Sequence, residues 1–415
     1  MPDTSMDQTL TTTAAALRAE PSIANAVSAM MDKMQRLITK ASIKATVTLG
    51  GSVAKGTNLR GDFDIDIFVR FAADDGSISD RLERAIAPLK PERIHGSRDY
   101  FQIEREGMTY EIVPVLHVTK PEDAKNVTDM SPLHVTWVRQ HIDRKPALAD
   151  DIRLAKQFCK AARVYGAESY IQGISGHVLD VLIIHYDGFR QFIDAAASWG
   201  AQTVIDIQHH HRDPLKALNE SKQVSPLIVV DPLQPQRNAA AAVSRQQYER
   251  LIAKAKAFKK GPNAGFFTIK DMDPDEVRKT YPDNDVIVIN VTPTKDKKDV
   301  AGAKVRKIFD HIVHFLQDSQ VDIIFADWQF NARHSTLIFV CPSSLSPTIE
   351  MPGPPVGKKT DATRFKDKHK TTVVRSGRLY ATEPRKYSTT HKAIQAAMNA
   401  SYVKERSVAC KATKL

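Results

Sequence analysis

Three aspartates at alternating positions are the residues whose spacing most directly predicts chemistry in this chain. Asp62, Asp64 and Asp66 alternate with large apolar residues in a segment that runs on to Val69. Alternation with a period of two predicts a β-strand, so the three carboxylates lie on one face of it. Like charges at this spacing repel one another unless a cation lies among them. Hard oxygen ligands with no His or Cys nearby favour Mg²⁺ over Zn²⁺.

A Gly-Ser turn precedes this strand and adds a second chemical element. Gly51-Ser52 follows an apolar-rich segment, 43–49, and offers backbone N–H groups and a hydroxyl to triphosphate oxygens. Carboxylate-bound metal beside such a turn predicts phosphoryl or nucleotidyl transfer, in which two cations about 4 Å apart hold the attacking and leaving oxygens. The alternative is that the aspartates form only a solvated strand face.

Glu111 is the candidate for a third metal ligand. It lies inside an apolar, β-branched segment, 109–116, which has the pattern of a neighbouring strand. A carboxylate contributed by a second strand strengthens the metal interpretation. The alternative is an ordinary charge at a strand edge.

Size and composition set limits on the class of protein. A chain of 415 residues with 42% hydrophobic residues is expected to form two or three globular domains. Its cysteines, Cys159, Cys341 and Cys410, are far apart and form no metal motif, which favours a reducing, cytoplasmic location. No run approaches the ~18 apolar residues of a membrane helix, so no membrane association is expected. Residues 1–12 are polar and are expected to fray, and they lack the pattern of a signal peptide.

The positive charge is concentrated near the C-terminus. The whole chain has a net charge of +11, and residues 356–415 alone carry fifteen Lys and Arg against four Asp and Glu. Tyr380, Tyr387 and Tyr402 are interspersed in this segment, which is typical of a protein that binds a phosphate backbone. The alternative is a disordered, solubilising tail.

The periodicity of the remaining segments predicts the elements that must position these residues. Residues 13–40 are expected to be helical around Pro21, with a further helix near 77–88 and strands near 99–105 and 109–117. Together these elements form a small α/β nucleotide-binding domain. Residues 285–341 show a β-α-β-β pattern, and 351–355 is interpreted as a linker.

A predicted helix over residues 151–165 carries basic residues on one face, namely Arg153, Lys156, Lys160 and Arg163. This face is either a solvated surface or an electropositive wall beside a triphosphate site, and the sequence leaves both open.

Residues 166–260 are also expected to be mainly helical. Ser175-Gly176 opens a strongly apolar helix, and a turn-rich loop, 231–238, precedes an Ala-rich helix predicted from Ala239. The histidine triplet at 209–211 is interpreted as a solvated loop, because no second ligand cluster accompanies it.

Several ordered motifs between about residues 45 and 270 resemble those of one known family. They are GSVAKGT, FDIDIFV, YEIVPV, SPLHVTWV, DIRLAKQFCKAARVYGAES, GISGHVLDVLIIHYDGF, and PLIVVDPLQPQRNAAAAVS followed by GFF. In these motifs the chain resembles the archaeal-type (class I) CCA-adding enzymes, which are tRNA nucleotidyltransferases. Beyond residue 270 the match fades.

The resemblance implies a multidomain fold of α/β and α+β class. It implies a polymerase-beta-like nucleotidyltransferase catalytic domain at 1–145 and a helical central domain that binds nucleotide and tRNA at 146–270. A β-α-β-β RNA-binding domain at 271–350 and a basic tRNA-binding segment at 351–415 follow. The implied activity is addition of C, C and A to the 3′ end of tRNA from CTP and ATP, with Mg²⁺ as cofactor. The implied partner is the acceptor arm and 3′ end of tRNA, and a homodimer is left open.

The resemblance also implies roles for individual residues. Asp64, Asp66 and Glu111 correspond to the catalytic metal ligands, and Gly51, Ser52 and Lys55 to the turn that holds the triphosphate. The other nucleotide-binding positions are Ser131, His134, Lys156, Tyr165, Ser175 and Arg237, of which the arginine is associated with selecting the incoming base.

Three residues depart from the family pattern. Glu111 stands where the family usually has Asp, Lys55 where Arg is expected, and Ser131 where Thr is expected. The lysine replaces a bidentate fork with a point charge, whereas the serine keeps the hydroxyl. Two other functions remain open: a related nucleotidyltransferase that makes poly(A) or an oligonucleotide messenger, and a non-catalytic RNA-binding relative.

Overall fold

The computed structural model describes residues 4–20, 22–73, 76–96 and 98–415. The chain forms two compact units, Met1–Ile269 (unit 1) and Lys270–Leu415 (unit 2). Both units mix helices with sheets, which confirms the predicted multidomain fold class. Pro21, around which the first helical region was predicted, lies outside the described residues. None of the helices in the described ranges combines the length and apolar character needed to span a membrane.

A five-stranded sheet forms the first half of unit 1. Its strands are β1 (Ala45–Leu49), β2 (Asp64–Phe71), β3 (Glu92–Ile94), β4 (Tyr100–Arg105) and β5 (Met108–Leu116). They lie in the order β1-β2-β5-β4-β3, and only β2 and β5 run parallel to each other. The two predicted carboxylate strands are therefore direct neighbours.

Four helices belong to the N-terminal part of this unit. They are α1 (Thr4–Leu17), α2 (Ser22–Lys40), α3 (Gly51–Lys55) and α4 (Ile78–Ile86). Met34 and Ile38 of α2 pack with Ile65 and Ile67 of β2 in one buried cluster. The prediction that residues 1–12 fray is wrong from Thr4 onward, because Met6 and Ala14 of α1 are buried against the helical core. Residues 1–3 lie outside the described part of the chain.

The second half of unit 1 is mainly helical. It contains α5 (Ser131–Arg144), α6 (Ala147–Ala161), α7 (Gly176–His185), α8 (Phe189–Ala196), α9 (Pro214–Ala217) and α10 (Arg245–Lys260), with the short parallel strands β6 (Thr203–Ile205) and β7 (Leu227–Val229). Phe158, Phe189 and Phe258 meet edge to face in its core. The helix predicted from Ala239 begins only at Arg245, because Ser244 accepts a hydrogen bond from Gln247 N and caps it there.

Unit 2 contains two antiparallel sheets. Its elements are α11 (Pro274–Thr280), β8 (Asn284–Pro293), α12 (Lys298–Asp318), β9 (Phe325–Gln329), β10 (Ser335–Pro342), β11 (Thr348–Pro355), α13 (Lys359–Lys368), β12 (Thr372–Arg375), β13 (Arg378–Pro384), α14 (Thr390–Met398), α15 (Ser401–Lys404) and β14 (Ser407–Lys414). The strand orders are β14-β8-β10-β9 and β11-β13-β12. The predicted β-α-β-β pattern is present as β8, α12, β9 and β10.

The C-terminal part of unit 2 is folded rather than a loose tail. The predicted linker at 351–355 is wrong, because these residues end strand β11, which pairs with β13. Strand β14 pairs with β8 and so crosses the predicted boundary near residue 350. Ile394 and Ala397 of α14 are fully buried in the core beside α12. Long-range packing of these apolar positions outweighs the segment's high charge.

Candidate active site

The predicted carboxylates lie side by side on the two parallel strands of unit 1. Pairing of β2 with β5 places Asp66 opposite Glu111 and Asp64 opposite Thr109. Alternation along β2 buries Ile65 and Ile67 completely, so the aspartates point to the other face of the sheet. The strand geometry predicted from the period-two pattern is therefore present for Asp64 and Asp66, whereas the prediction is wrong for Asp62, which lies before β2 begins.

Asp66 is held in a crowded electrostatic environment. Burial, followed by the nearby charge of Glu111, raises the pKa of Asp66 to about 6, while Lys55 acts in the opposite direction. One oxygen of Glu111, Oε1, accepts a hydrogen bond from Gln102 Nε2 at 2.8 Å. A cation bound among these carboxylates would relieve the crowding.

Gly51 brings the Gly-Ser turn into contact with Asp66. Its φ of +55° lies in the left-handed region, and a Cβ built there would lie 1.6 Å from Asp66 Oδ2. Any side chain at this position would therefore overlap the carboxylate. The turn and the aspartate strand form one continuous surface, as the sequence predicted.

The ligand atoms of Asp64, Asp66 and Glu111 are not all within 4.8 Å of one another. Within the described ranges, the group of three potential ligands that meets this spacing consists of His134, His177 and Asp231. Asp64, Asp66 and Glu111 nevertheless lie on the adjoining strands β2 and β5. Their chemistry, three hard oxygen donors on adjoining strands, still fits a divalent cation of the magnesium type.

A cavity of about 300 Å³ lies beside the carboxylates and the Gly-Ser turn. Half of the twelve predicted site residues line it: Gly51, Lys55, Asp66, Ser131, His134 and Arg237. Phe68, Val113, Val127, Thr128, Val135 and His177 complete the lining. The volume and the mixture of apolar walls with a few charged groups are those of a small-molecule site. Residues from four separate motifs, which span positions 51 to 237 of the chain, thus line one cavity.

Lys55 is held at this cavity by a buried partner that the sequence analysis did not identify. Its Nζ donates to Asp180 Oδ2 at 2.5 Å, and the side chain of Asp180 is completely buried in α7. The other oxygen, Oδ1, is buried and has no hydrogen-bond partner. An aspartate in an otherwise apolar helical run was the signal available in the sequence, because buried carboxylates require a cationic partner.

Lys156 lies behind the cavity and does not line it. It is almost fully buried, and its Nζ donates to Thr57 O at 3.1 Å and to Thr57 Oγ1 at 3.2 Å. Burial lowers the pKa of Lys156 to about 8, although the charge of Asp180 acts in the opposite direction. The hydrogen bonds of this lysine therefore connect α6 to the loop that follows α3.

Tyr165 and Ser175 are also located behind the cavity. Burial raises the pKa of Tyr165 above its ordinary value, and a Cβ at Gly176 would lie 3.0 Å from the tyrosine hydroxyl. Ser175 Oγ accepts a hydrogen bond from Val178 N at 3.2 Å and caps α7. The hydroxyl group of Ser175 thus has a structural partner, and its O–H remains available as a donor.

The basic face of α6 is directed at the loop between α3 and β2. Arg153 donates to the carbonyls of Asn58 and Gly56, and Lys160 Nζ lies 3.2 Å from Asp62 Oδ2. These contacts are internal to unit 1, so the face is neither freely solvated nor part of the cavity wall. The aspartate that begins the predicted triplet is therefore engaged by a lysine.

A second charged cluster lies at the cavity around Asp231. This fully buried carboxylate accepts hydrogen bonds from His134 Nε2 at 2.9 Å and from Arg237 Nη1 at 2.6 Å. His177 Nε2 lies 3.5 Å from Asp231 Oδ2, and the rings of His134 and His177 are 4.3 Å apart. Because a guanidinium already neutralises Asp231, the cluster is a set of ion pairs rather than an open metal site. His177 was missed in the sequence, although it follows Gly176 directly.

The loop that carries Arg237 is braced from outside the cavity. His210 Nε2 lies 3.0 Å from Pro232 O, and His211 Nε2 lies 2.7 Å from Pro235 O. The histidine triplet, interpreted as a solvated loop, thus supports residues 231–238. Its side chains face carbonyl oxygens, which makes their ring N–H groups the donors.

Comparison with known proteins identifies the family. A family model described as the nucleotidyltransferase domain matches residues 31–121, and one described as the second domain of tRNA nucleotidyltransferase matches 150–268. The C-terminal domain of CCA-adding enzymes matches 286–408. The chain is 34% identical over 342 residues to the CCA-adding enzyme of Nanoarchaeum equitans (strain Kin4-M), covering 80% of this chain and 82% of that protein. This chain belongs to the CCA-adding enzyme family.

Other relatives of the CCA-adding enzyme family agree over similar lengths. The CCA-adding enzyme of Methanoregula boonei (strain DSM 21154 / JCM 14090 / 6A8) is 27% identical, with 84% of this chain and 77% of that protein covered. Family membership makes the chain a tRNA nucleotidyltransferase, which confirms the predicted enzyme class. The roles of its individual residues remain predictions.

Solved structures similar to this member of the CCA-adding family share its fold at low identity. The Cid1 poly(U) polymerase aligns with a TM-score of 0.54 at 10% identity, covering 64% of this chain and 99% of that chain. A cytoplasmic RNA terminal U-transferase aligns with a TM-score of 0.51 at 14% identity, covering 65% and 99%. These likenesses confirm the nucleotidyltransferase fold and nothing further.

Proposed function

We propose that this chain adds C, C and A to the 3′ end of tRNA from CTP and ATP, without a nucleic-acid template. The observation that carries the proposal is the single cavity lined by Asp66, Lys55 and Arg237. It offers a carboxylate for a metal, an ammonium for phosphate and a guanidinium for a base. A nucleoside triphosphate needs these three kinds of group together.

The carboxylates Asp64, Asp66 and Glu111 would hold Mg²⁺. The raised pKa of Asp66 supports this role, because burial and the charge of Glu111 disfavour its ionised form until a cation is near. When bound, a pair of magnesium ions supplies activation of the tRNA 3′-hydroxyl and stabilisation of the leaving pyrophosphate. Glu111 is held by Gln102 at one oxygen, which leaves the other for this purpose.

The phosphate end of the nucleotide is assigned to the Gly-Ser turn and Lys55. Ser52 and the adjoining backbone N–H groups bind the triphosphate, and Lys55 places its ammonium on it while Asp180 fixes one of its three N–H donors. Lys156, Tyr165 and Ser175 support this end from behind. Positioning of the reactants and stabilisation of charge then account for the rate enhancement.

The base end of the nucleotide is assigned to Arg237 and His134, with Ser131 nearby. All three line the same cavity as Asp66. A guanidinium fork pairs with acceptor atoms on a base edge. Adding two different bases in a fixed order requires discrimination at this end.

Unit 2 is proposed to bind the acceptor arm of tRNA through phosphate contacts. Residues 356–415 carry the excess positive charge of the chain on folded elements. A cytoplasmic location is proposed from the three free thiols, Cys159, Cys341 and Cys410. A homodimer stays a prediction.

The proposal is tested by incorporation of labelled nucleotide into three tRNAs that lack CCA, CA or A. We expect C to be added to the first two and A to the third, with Mg²⁺ required in each case. Incubation of nucleoside triphosphates without tRNA is the matched control. A soluble oligonucleotide or long poly(A) product would overturn the proposal in favour of a related nucleotidyltransferase, and tRNA binding without incorporation would favour a non-catalytic relative.

Asp64→Ala tests the metal ligands. We expect incorporation to fall by about 10³-fold or more, because a metal ligand acts on the reacting oxygens, while tRNA affinity stays nearly unchanged. Asp62→Ala is the matched control on the same stretch: Asp62 pairs with Lys160 and should change the rate by no more than about threefold. Equal losses in both variants would contradict the assignment.

A further inference from the structure

The buried carboxylate of Asp231 holds two residues that line the base end of the cavity, His134 and Arg237. Its Oδ1 accepts hydrogen bonds from His134 Nε2 at 2.9 Å and from the backbone N–H groups of Leu233 at 3.0 Å and Gln234 at 3.2 Å. Its Oδ2 accepts from Arg237 Nη1 at 2.6 Å. Asp231 is fully buried and does not itself line the cavity, whereas His134 and Arg237 do.

We propose that Asp231 is a positioning residue for base selection, which holds Arg237 and His134 so that their remaining polar atoms face the incoming base. The inference rests on the proposed function and goes beyond it, because it assigns selectivity to a group that never touches the nucleotide. It also brings His177 into the same set through its contact with Asp231.

The first step of the argument concerns Arg237. A guanidinium has five N–H donors in one plane, and the ion pair with Asp231 uses one end of that plane. Side-chain rotations that move Nη1 away from Asp231 break this bond, so the directions open to the other donors are restricted. Without the carboxylate, a half-exposed arginine has many side-chain conformations, and its donors no longer define one edge.

The second step concerns His134. Its Nε2 faces Asp231 and therefore carries the proton, which leaves Nδ1 as an acceptor in the neutral ring. His177 packs against this ring at 4.3 Å, and burial lowers the pKa of His177, which keeps it neutral near pH 7. The orientation of His134 is thus determined from two sides.

The third step concerns the charge of Asp231 and the rigidity of the loop that carries it. Burial opposes ionisation of Asp231, but the hydrogen bond from His134 and the closeness of His177 outweigh it and hold the pKa of this carboxyl below its ordinary value. Asp231 is therefore charged throughout the neutral range. The braces from His210 and His211 fix the loop backbone around it.

The fourth step concerns the bases. Cytosine at N3 and adenine at N1 present acceptors at the centre of the pairing edge, whereas uracil and guanine present N–H donors there. A fixed arginine donor matches C and A and opposes U and G, because two facing donors leave both groups unpaired. Asp180 lies at the phosphate end, where it partners Lys55, and has no part in this comparison.

Asp231→Asn in the full chain tests the proposal. The change keeps the shape of the side chain and an oxygen for the backbone N–H groups, but removes the charge that holds Arg237. The measurement is kcat/KM for CTP and for UTP on tRNA ending at position 73, since their ratio does not depend on the fraction of active protein. We expect the CTP/UTP ratio to fall at least tenfold, and a ratio within twofold of the wild-type value would overturn the proposal.

Three further variants serve as controls for this measurement. Asp180→Asn, which removes a buried carboxylate at the phosphate end, should raise KM for both nucleotides by the same factor and leave the ratio unchanged. Should Asp231→Asn not fold, Asp231→Glu keeps the charge but moves it, and the same fall in the ratio is expected. In an Arg237→Ala background, Asp231→Asn should change the ratio by less than in the wild-type background, and a fall as large as in the wild type would contradict action through the arginine.

Failure of the proposed function can be recognised separately. If wild-type protein incorporates no nucleotide, the proposed function fails, and the inference is then decided by binding alone. The affinities for CTP and UTP are measured with Mg²⁺ and a tRNA whose terminal residue lacks its 3′-hydroxyl. Loss of CTP preference in Asp231→Asn would support the role of Asp231, and equal preference in both proteins would overturn it.

Discussion

Gly51 and Asp66 show how closely a backbone turn and a catalytic side chain can be coupled. The space that a Cβ of Gly51 would occupy is already taken by the carboxylate, and the backbone at this position is left-handed. No L-residue with a side chain meets both conditions. Residue 51 must therefore be glycine if Asp66 is to keep its position.

Gly51→Ala is expected to reduce nucleotide incorporation at least about 100-fold, because displacing Asp66 by an ångström misplaces the reacting groups. Gly61→Ala is the matched control: Gly61 also has a positive φ, of +76°, but a Cβ there meets nothing within 4 Å. It should cost about 1 kcal/mol in stability and little activity. Steady-state incorporation and thermal unfolding separate the two effects, and equal activity of the two variants would contradict the coupling.

Asp66 also makes the stability of the metal-free protein depend on pH. Burial, with the charge of Glu111, raises its pKa from 3.8 to about 6, so the native state binds a proton that the unfolded chain has already lost. Stability is therefore greatest below pH 4 for this group and falls as the pH rises to about 6.

Asp66→Asn should remove that penalty. In EDTA at pH 7.5 we expect the variant to be more stable than wild type by about 1–3 kcal/mol, since one pKa unit corresponds to 1.36 kcal/mol. At pH 4.5 the difference should be much smaller. Denaturant unfolding at both pH values measures it, and a difference that is independent of pH would show that charge is not its cause.

At the scale of elements, helix α7 helps to join the sheet half of unit 1 to the helical half. It carries Asp180, which binds Lys55 at the end of α3, and its first residues pack beside Tyr165 and Lys156. Asp180 is fully buried and the side chain of Lys55 is only 12% exposed, so water solvates this ion pair poorly. The ion pair thereby helps to fix the relative position of the two halves at the cavity.

Asp180→Leu is expected to destabilise the protein by about 3–5 kcal/mol, because it leaves a buried lysine without a partner. The double variant Lys55→Met with Asp180→Leu should recover most of that loss, since both charges are then gone. Thermal or denaturant unfolding of the three proteins gives the coupling energy. A double variant as unstable as the sum of the single changes would mean that the pair does not connect these elements.

At the scale of the whole molecule, charge is the property that differs most along the chain. Residues 1–355 are balanced, and residues 356–415, which include α13, β12, β13, α14, α15 and β14, carry the whole net charge of +11. A folded basic surface presents its charges at fixed spacing. It can therefore bind a nucleic-acid backbone without reading the sequence of bases.

The affinity for tRNA should fall steeply with salt, by at least about tenfold between 50 and 200 mM, because each phosphate contact releases counterions. Lys358→Gln with Lys359→Gln should reduce the slope of log K against log salt by about 1–2. Lys33→Gln with Lys40→Gln on α2 is the matched control in unit 1 and should leave the slope unchanged. Filter binding over a salt series measures both, and an equal effect of the two pairs would contradict a C-terminal tRNA surface.

The sequence by itself determined the features that depend on neighbouring residues. The period-two pattern around Asp64 and Asp66 gave a strand with buried isoleucines, and the Gly-Ser turn was found beside it. Ser175 was found at the start of an apolar helix, where it caps α7. These features follow from local periodicity and capping, which a short segment carries with it.

Only the tertiary structure decided which residues that are distant in the sequence form ion pairs. Lys55 and Asp180 are 125 residues apart, and His134 and Asp231 are 97 apart, yet each pair is in hydrogen-bond contact. The same holds for the C-terminal segment, whose composition left a disordered tail open as an alternative but whose strand β14 pairs with β8. Periodicity describes one element at a time, whereas burial and ion pairing depend on how elements pack, and that information lies in no single segment.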